Sequence, residues 1–211
     1  MRVINLSHPI EADTPILPNY PSVEVMGRDG EGSIGENPHT RNAKLSIGLQ
    51  VGTHIEAPFH FFEGKLTIDQ VPLERCMGKA TVVHLPERPA FSEITRQDLL
   101  PYKKQLRNTQ RVLLYTDWYK RWKEGNYYTD HPILTQECAE FFLQCGVHLV
   151  GVDFPSVDTY PFPVHTALLG NEVLIIENIA NFDFLSTDTI ELVAMPLQIV
   201  GKGGSPVRAL A

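Results

Sequence analysis

The sequence predicts an α/β or α+β fold, strand-rich with few helices. Short apolar runs bounded by glycine, proline or polar residues recur along it, as strands require. Only two segments carry helix-start signals of the capping type. Hydrophobic residues make up 43% and charged residues 20% of the 211 positions, the composition of a globular chain. No repeat, low-complexity tract or long linker divides it, so one domain over residues 1–211 is expected.

The elements follow in order. Val3 to Leu6 is a short strand stopped by Ser7-His8-Pro9. Pro15, Pro18 and Pro21 cannot donate ladder hydrogen bonds, so residues 14–21 form a loop. Residues 27–42 hold four glycines among alternating charges and read as another loop. Lys44 to Val51 alternates weakly, as a strand does. Lys79 to Leu85 and Gln110 to Thr116 are strands between breakers. Thr95 to Leu100 suits a short helix, with Thr95 as N-cap and Asp98 at the third helical position. Thr135 to Cys145 is the clearest helix. Thr135 caps it, Ala139, Phe142, Leu143 and Cys145 supply apolar positions, and Gly146 ends it. Val147 to Val152 is a buried strand ending at Asp153, and Val173 to Ile176 is another. Leu192 to Val200 is a late strand that Pro196 confines to an edge.

The net charge is −7. Binding to a nucleic acid rests on clustered Lys and Arg, so a polyanion partner is disfavoured. No stretch approaches ~18 apolar residues, and MRVINLSHPI lacks a signal-peptide core. A cytoplasmic protein without a membrane partner is expected. Cys76, Cys138 and Cys145 are too few for a disulfide scaffold or a zinc finger, and read as reduced thiols.

The unusual segment is Gln50-Val-Gly-Thr-His54-Ile-Glu56-Ala-Pro-Phe-His60. It offers Gln50, His54, Glu56 and His60 as candidate ligands within eleven residues. In a straight strand Gln50 and Glu56 would lie roughly 20 Å apart, too far to share an ion. A helix would put residues 50 and 54 nearly opposite 56 and 60. Convergence therefore needs a bend. Gly52 permits one, and Pro58 breaks any regular element. Two ordinary histidines in a turn are the plainer alternative. Downstream, Asp153 to Asp158 forms a loop after a buried strand, His165 precedes Leu168-Leu169, and Glu177 closes an apolar run. A carboxylate there is costly unless paired or bound to a metal.

These residues resemble those of the metal-dependent cyclase-like hydrolases, which include bacterial kynurenine formamidases. Ile4 to Ile10 is similar to the family's opening. Gly52-Thr-His-Ile-Glu-Ala-Pro-Phe-His-Phe61 is similar to its signature, His-x-Gly-Thr-His-x-Asp-x-Pro-x-His-Phe. Val150 to Asp158, His165 to Leu169, Ile176 to Asn178 and Gly204 to Arg208 follow further family blocks. The resemblance implies a cyclase-like swivelling β/β/α domain, in homodimers or larger oligomers. It implies a divalent metal, Zn or Mn, one or two ions per chain. His54, Glu56, His165 and Glu177 match ligands, and His60 matches the acid/base residue. Two positions depart: Gln50 stands where the family has His, and Glu56 where it has the bridging Asp. A neutral amide is a weaker ligand than imidazole and shifts preference toward an oxygen-tolerant ion such as Mn²⁺.

The function expected is metal-assisted hydrolysis of a C–N bond in a small amide, formamide or cyclic amide. Gln50, His54, Glu56, His165 and Glu177 would hold the metal, with His60 as proton shuttle. Ser7, Thr53 and Asp158 would orient ligands or substrate. The Pro-rich loop would wall the pocket, whereas Trp118 fits the core better. A binding protein that has lost turnover is the alternative that Gln50 favours. Cysteine catalysis fits less well, because Cys145 falls on the apolar side of the expected helix.

Overall fold

The computed structural model describes residues 2–27, 43–85 and 88–211. The loop expected at 27–42 lies outside these residues, apart from Gly27. The strands are β1 (Glu24–Met26), β2 (Lys44–Ser46), β3 (His54–Glu56), β4 (Met77–His84), β5 (Glu93–Ile94), β6 (Arg111–Tyr115), β7 (Ile133–Leu134), β8 (Leu149–Val152), β9 (Leu174–Glu177), β10 (Thr189–Val193) and β11 (Gly204–Pro206). The helices are α1 (Arg96–Leu99), α2 (Lys103–Thr109), α3 (Gln136–Gln144) and α4 (Pro163–Gly170). The expected mixed α/β class, richer in strand than in helix, is what forms.

A seven-stranded sheet runs in the order β10-β4-β6-β8-β9-β3-β11. Its centre, β4-β6-β8-β9, is parallel, and β10, β3 and β11 add antiparallel. Parallel strands covered on both faces need apolar side chains on both. Val112, Leu114, Val150, Val152 and Ile175 face the helices, while Leu113, Leu149, Leu174 and Ile176 face a second core with Leu6, Ile55 and Ala209.

Local chemistry explains the elements that match expectation. Thr95 and Asp98 form the reciprocal capping box on α1. Gly146 ends α3 in the left-handed region at φ +74°. Within α3 the fully buried positions are Cys138, Ala139, Phe141 and Phe142, while Leu143 is partly buried and packs against the same core.

Other boundaries shift. Residues 3–6 lie extended beside the C-terminus, with Leu6 N–H donating to Ala209 O at 2.8 Å, but join it only through isolated bridges. The strand expected to Val51 stops at Ser46, because the chain turns at Gly48 and again at Gly52 (φ +68°). The late strand occupies 189–193 at the sheet edge and ends before Pro196, which removes a donor. Two helices carried no clear signal. In α2 only Leu106 and Thr109 are buried. In α4, Pro163 at the first position starts the helix without an ordinary cap residue before it.

Candidate metal centre

The bend falls before β3, not within it. Residues 49–53 turn and β3 then runs straight for three residues. His54 and Glu56 are two apart, so both point to one face while Ile55 enters the core between them. His54 pairs with Glu177 across the antiparallel β3–β9 ladder. Glu177 ends β9, at the carboxyl edge of the parallel strands, where open α/β sheets usually gather their ligands. His165 arrives from the first turn of α4. All four residues are at most 4% exposed.

Their polar atoms converge. His54 Nε2 lies 3.4 Å from Glu177 Oε2 and 3.7 Å from Glu56 Oε1. His165 Nε2 lies 3.4 Å from Glu56 Oε2 and 3.4 Å from Glu177 Oε1. Donors set tetrahedrally at ~2.1 Å from one cation stand roughly 3.4 Å from each other, so the spacing is that of a shared ion. Ligand atoms of His54, Glu56 and Glu177 all lie within 4.8 Å of one another. Among the described residues, His54 Nε2 and Glu56 Oε2 are buried without a hydrogen-bond partner. Such orphaned atoms are costly unless a cation satisfies them, so the residues fit a divalent metal.

The imidazoles are turned for that role. Gly52 O can only accept, so His54 Nδ1 donates to it at 3.0 Å and leaves Nε2 toward the carboxylates. Asp158 does the same for His165. Its Oδ1 takes the Nδ1 proton, and its Oδ2 caps α4 through the Val164 and His165 N–H groups. Phe61 stacks on the His165 ring at 4.9 Å, and Phe162 meets it edge-on at 5.8 Å. Glu177 Oε1 also accepts the Val157 N–H at 3.0 Å.

Burial pulls the His54 imidazole down, but Glu177 and Glu56 outweigh it and hold it at about 10. His165 is likewise raised against burial, by Asp158, Glu177 and Glu56. Burial and each other's charge push the Glu177 carboxyl up, yet His165 and His54 hold it below its usual value. Burial raises Glu56 too, and His165, His54 and His60 hold it well below the carboxylate range. Protons and a divalent cation thus compete for the same atoms.

His60 Nε2 stands 3.1 Å from Glu56 Oε1, with 28% of its side chain exposed. It borders a cavity of about 440 Å³ that opens onto the carboxylates and is walled by Leu17, Tyr20, Gln50, Phe61 and Phe162. The Pro-rich loop therefore does line the pocket. Trp118 does not: it is 1% exposed in the core, its Nε1 donating to Tyr127 O at 3.1 Å. The Thr53 hydroxyl accepts His8 N–H at 3.0 Å and donates to Asn178 O, holding the turn rather than a ligand. Ser7 bonds the C-terminal segment at Val207 and Ala209, away from the cavity lining. Burial pushes the Cys76 and Cys138 thiols up to about 11 and raises Cys145, and none lines the cavity, which leaves the cysteine mechanism without a nucleophile.

Three residues carried no individual role in the sequence, although Asn178 and Gly204 fall within its family-like blocks. A Cβ on Gly203 would meet the His60 backbone at 2.6–2.7 Å, and one on Gly204 would meet the Gln50 amide nitrogen at 2.7 Å. Gly204 pairs with Glu56, so its missing side chain leaves room for the Gln50 amide beside the site. The doublet beside the family-like tail was the available signal. Asn178, directly after Glu177, is the third.

Fold and site together define a mixed α/β protein with a buried imidazole–carboxylate centre at strand ends. The family described as putative cyclase matches residues 4–159, and the chain belongs to it. It is 32% identical to a kynurenine formamidase of Geobacillus thermodenitrificans and 31% identical to one of Bacillus thuringiensis, over 98% of this chain and 95% of each relative. In structure it is similar to isatin hydrolase A from Labrenzia aggregata, with TM-score 0.85 and 24% identity, covering 99% of this chain and 92% of that one. A potential metal-dependent hydrolase with cyclase activity aligns at TM-score 0.78 and 23% identity, covering 99% and 96%.

Proposed function

We propose that this chain, as one domain over residues 1–211, is a metal-dependent hydrolase. It cleaves a C–N bond of a small amide, formamide or cyclic amide, as the formamidase relatives' names suggest. The observation that carries this is the convergence of His54, Glu56, His165 and Glu177 beside an open cavity, with His54 Nε2 and Glu56 Oε2 left without hydrogen-bond partners. These four residues hold one or two ions, Zn or Mn, and Gln50 adds a neutral amide at the cavity rim. A bound divalent ion would lower the pKa of a water and polarise the substrate carbonyl.

The chain's own residues do the rest. His60 accepts the proton of the attacking water and returns it to the leaving nitrogen. Glu56, 3.1 Å away, steadies the imidazolium between those two events. Asp158 keeps His165 in one tautomer. Phe61, Phe162 and Tyr20 line the cavity and give the substrate an aromatic wall. The protein works in the cytoplasm, in keeping with three unpaired cysteines, and assembles as a homodimer or larger oligomer.

The test is a panel of formamides, lactams and lactones offered to protein loaded with Zn²⁺ or Mn²⁺. Hydrolysis of at least one, lost on chelation, supports the reading. No turnover, together with no effect of His60→Ala on any property, would sink it. Gln50 favours one competitor, a small-molecule-binding protein that has lost turnover. Protein purified with less than about a tenth of an ion per chain would favour that competitor. If Gln50→His raises metal affinity and activity together, the chain is a retuned enzyme.

A further inference from the structure

Asn178 is 1% exposed and sits in the left-handed region at φ +59°, which Asn tolerates better than most side chains. Each of its polar groups is engaged. Its N–H donates to Phe154 O at 3.2 Å, and its carbonyl accepts the Thr53 hydroxyl. Its Nδ2 donates to Gly52 O at 2.9 Å, and its Oδ1 accepts the Tyr127 hydroxyl at 2.9 Å.

The partner that matters is Gly52 O. This one carbonyl also receives the His54 Nδ1–H. It belongs to a glycine at φ +68°, a backbone with little steric preference of its own. Something must aim it, and the Asn178 amide does so, with Tyr127 fixing which end of that amide points inward. Asp could not replace Asn, because both its oxygens accept and one would face the carbonyl.

We propose that Asn178 is a positioning residue for the metal site. By fixing the Gly52 carbonyl it locks the His54 proton on Nδ1 and frees Nε2 for the ion. Because it follows Glu177 directly, the same residue ties β9 to the turn that launches β3, and so sets the spacing of two ligands. This rests on the metal-binding reading above. It adds a chain, Tyr127–Asn178–Gly52–His54, that the reading does not require.

The test uses Asn178→Gly, which keeps the backbone conformation and removes both arms, and Tyr127→Phe, which removes one hydroxyl. Zn²⁺ affinity is read by competition with a chelator. Coordination geometry is read from the visible absorption of the Co²⁺-loaded protein. Asn178→Gly is expected to weaken Zn²⁺ binding about 10–100-fold, the usual cost of losing a partner behind a ligand. Its Co²⁺ spectrum should shift, and Tyr127→Phe should move both readouts less, in the same direction. A purely structural Asn178 would lower the melting temperature and leave the spectrum alone. Wild-type affinity and spectrum in both variants overturn the proposal. Should Asn178→Gly not fold, Tyr127→Phe decides by the same criterion. A wild-type protein that binds neither ion defeats the hydrolase reading itself, a different outcome from variants that bind as well as wild type.

Discussion

Two sets of buried carboxylates sit at strand ends of this sheet, and they are neutralised in opposite ways. Glu56 and Glu177 face His54 and His165, which hold both carboxyls below their usual values against the pull of burial. Asp153, after β8, faces no cation among the described residues. Its oxygens take the Thr116 N–H at 2.9 Å and the Thr116 hydroxyl at 2.6 Å. Burial prevails there and pushes its carboxyl up to about 7. A buried acid served only by neutral donors tends to neutralise itself by binding a proton. A pair of acids with imidazoles turned toward them stays charged and offers itself to a cation. The second arrangement is wasteful for stability alone, which is why it points to function.

The sharpest break in that contrast is Glu56→Ala. It removes the carboxylate that both imidazoles and His60 approach. Metal binding should fall below stoichiometric on elemental analysis, and kcat/KM should drop by about 10³ or more. His60→Ala should cost about 10²-fold in kcat while metal content stays as in wild type, because this side chain lies at the cavity edge. Loss of metal in that variant would make His60 a ligand instead.

Asp153→Asn probes the other side. A carboxyl raised in the fold favours the protonated form, so its contribution to stability is full below its unfolded value of 3.8. That contribution declines as pH rises and is gone above about 7. Unfolding free energies from denaturant titration should therefore fall between pH 4 and 7 more steeply in wild type than in Asp153→Asn, by up to about 1 kcal/mol per pH unit. Parallel profiles would mean that Asp153 stays ionised. Gly203→Ala tests the packing behind the site. Its Cβ must displace the His60 backbone, at about 1–3 kcal/mol in thermal or denaturant unfolding, with kcat lowered by the shift. A variant as stable and as active as wild type would show that the strand has slack.

What the sequence made legible was local. His54 and Glu56 share a strand face because they are two residues apart, and β4, β6, β8 and β9 announce themselves as apolar runs between breakers. Glu177 was noticeable because an acid at the end of such a run needs a reason. What stayed hidden depends on chain segments meeting in space. Asp158 was expected to orient a ligand or substrate, but that it caps α4 while doing so exists only once α4 starts at Pro163. Gly203 and Gly204 matter only because β11 lies against β3. Asn178 matters only because the Gly52 carbonyl reaches it. The short α2 was missed for a simpler reason, since a helix burying only Leu106 and Thr109 shows no apolar stripe.

The central claim is that strand β3, strand β9 and helix α4 together hold the metal, one ion or two. Anomalous diffraction from crystals grown with Zn²⁺ or Mn²⁺ tests it most directly. The account predicts a peak ~2.0–2.2 Å from His54 Nε2 and from oxygens of Glu56 and Glu177, with His165 Nε2 on the same ion or on a second one beside it. Saturating metal with no peak among these four side chains would contradict it.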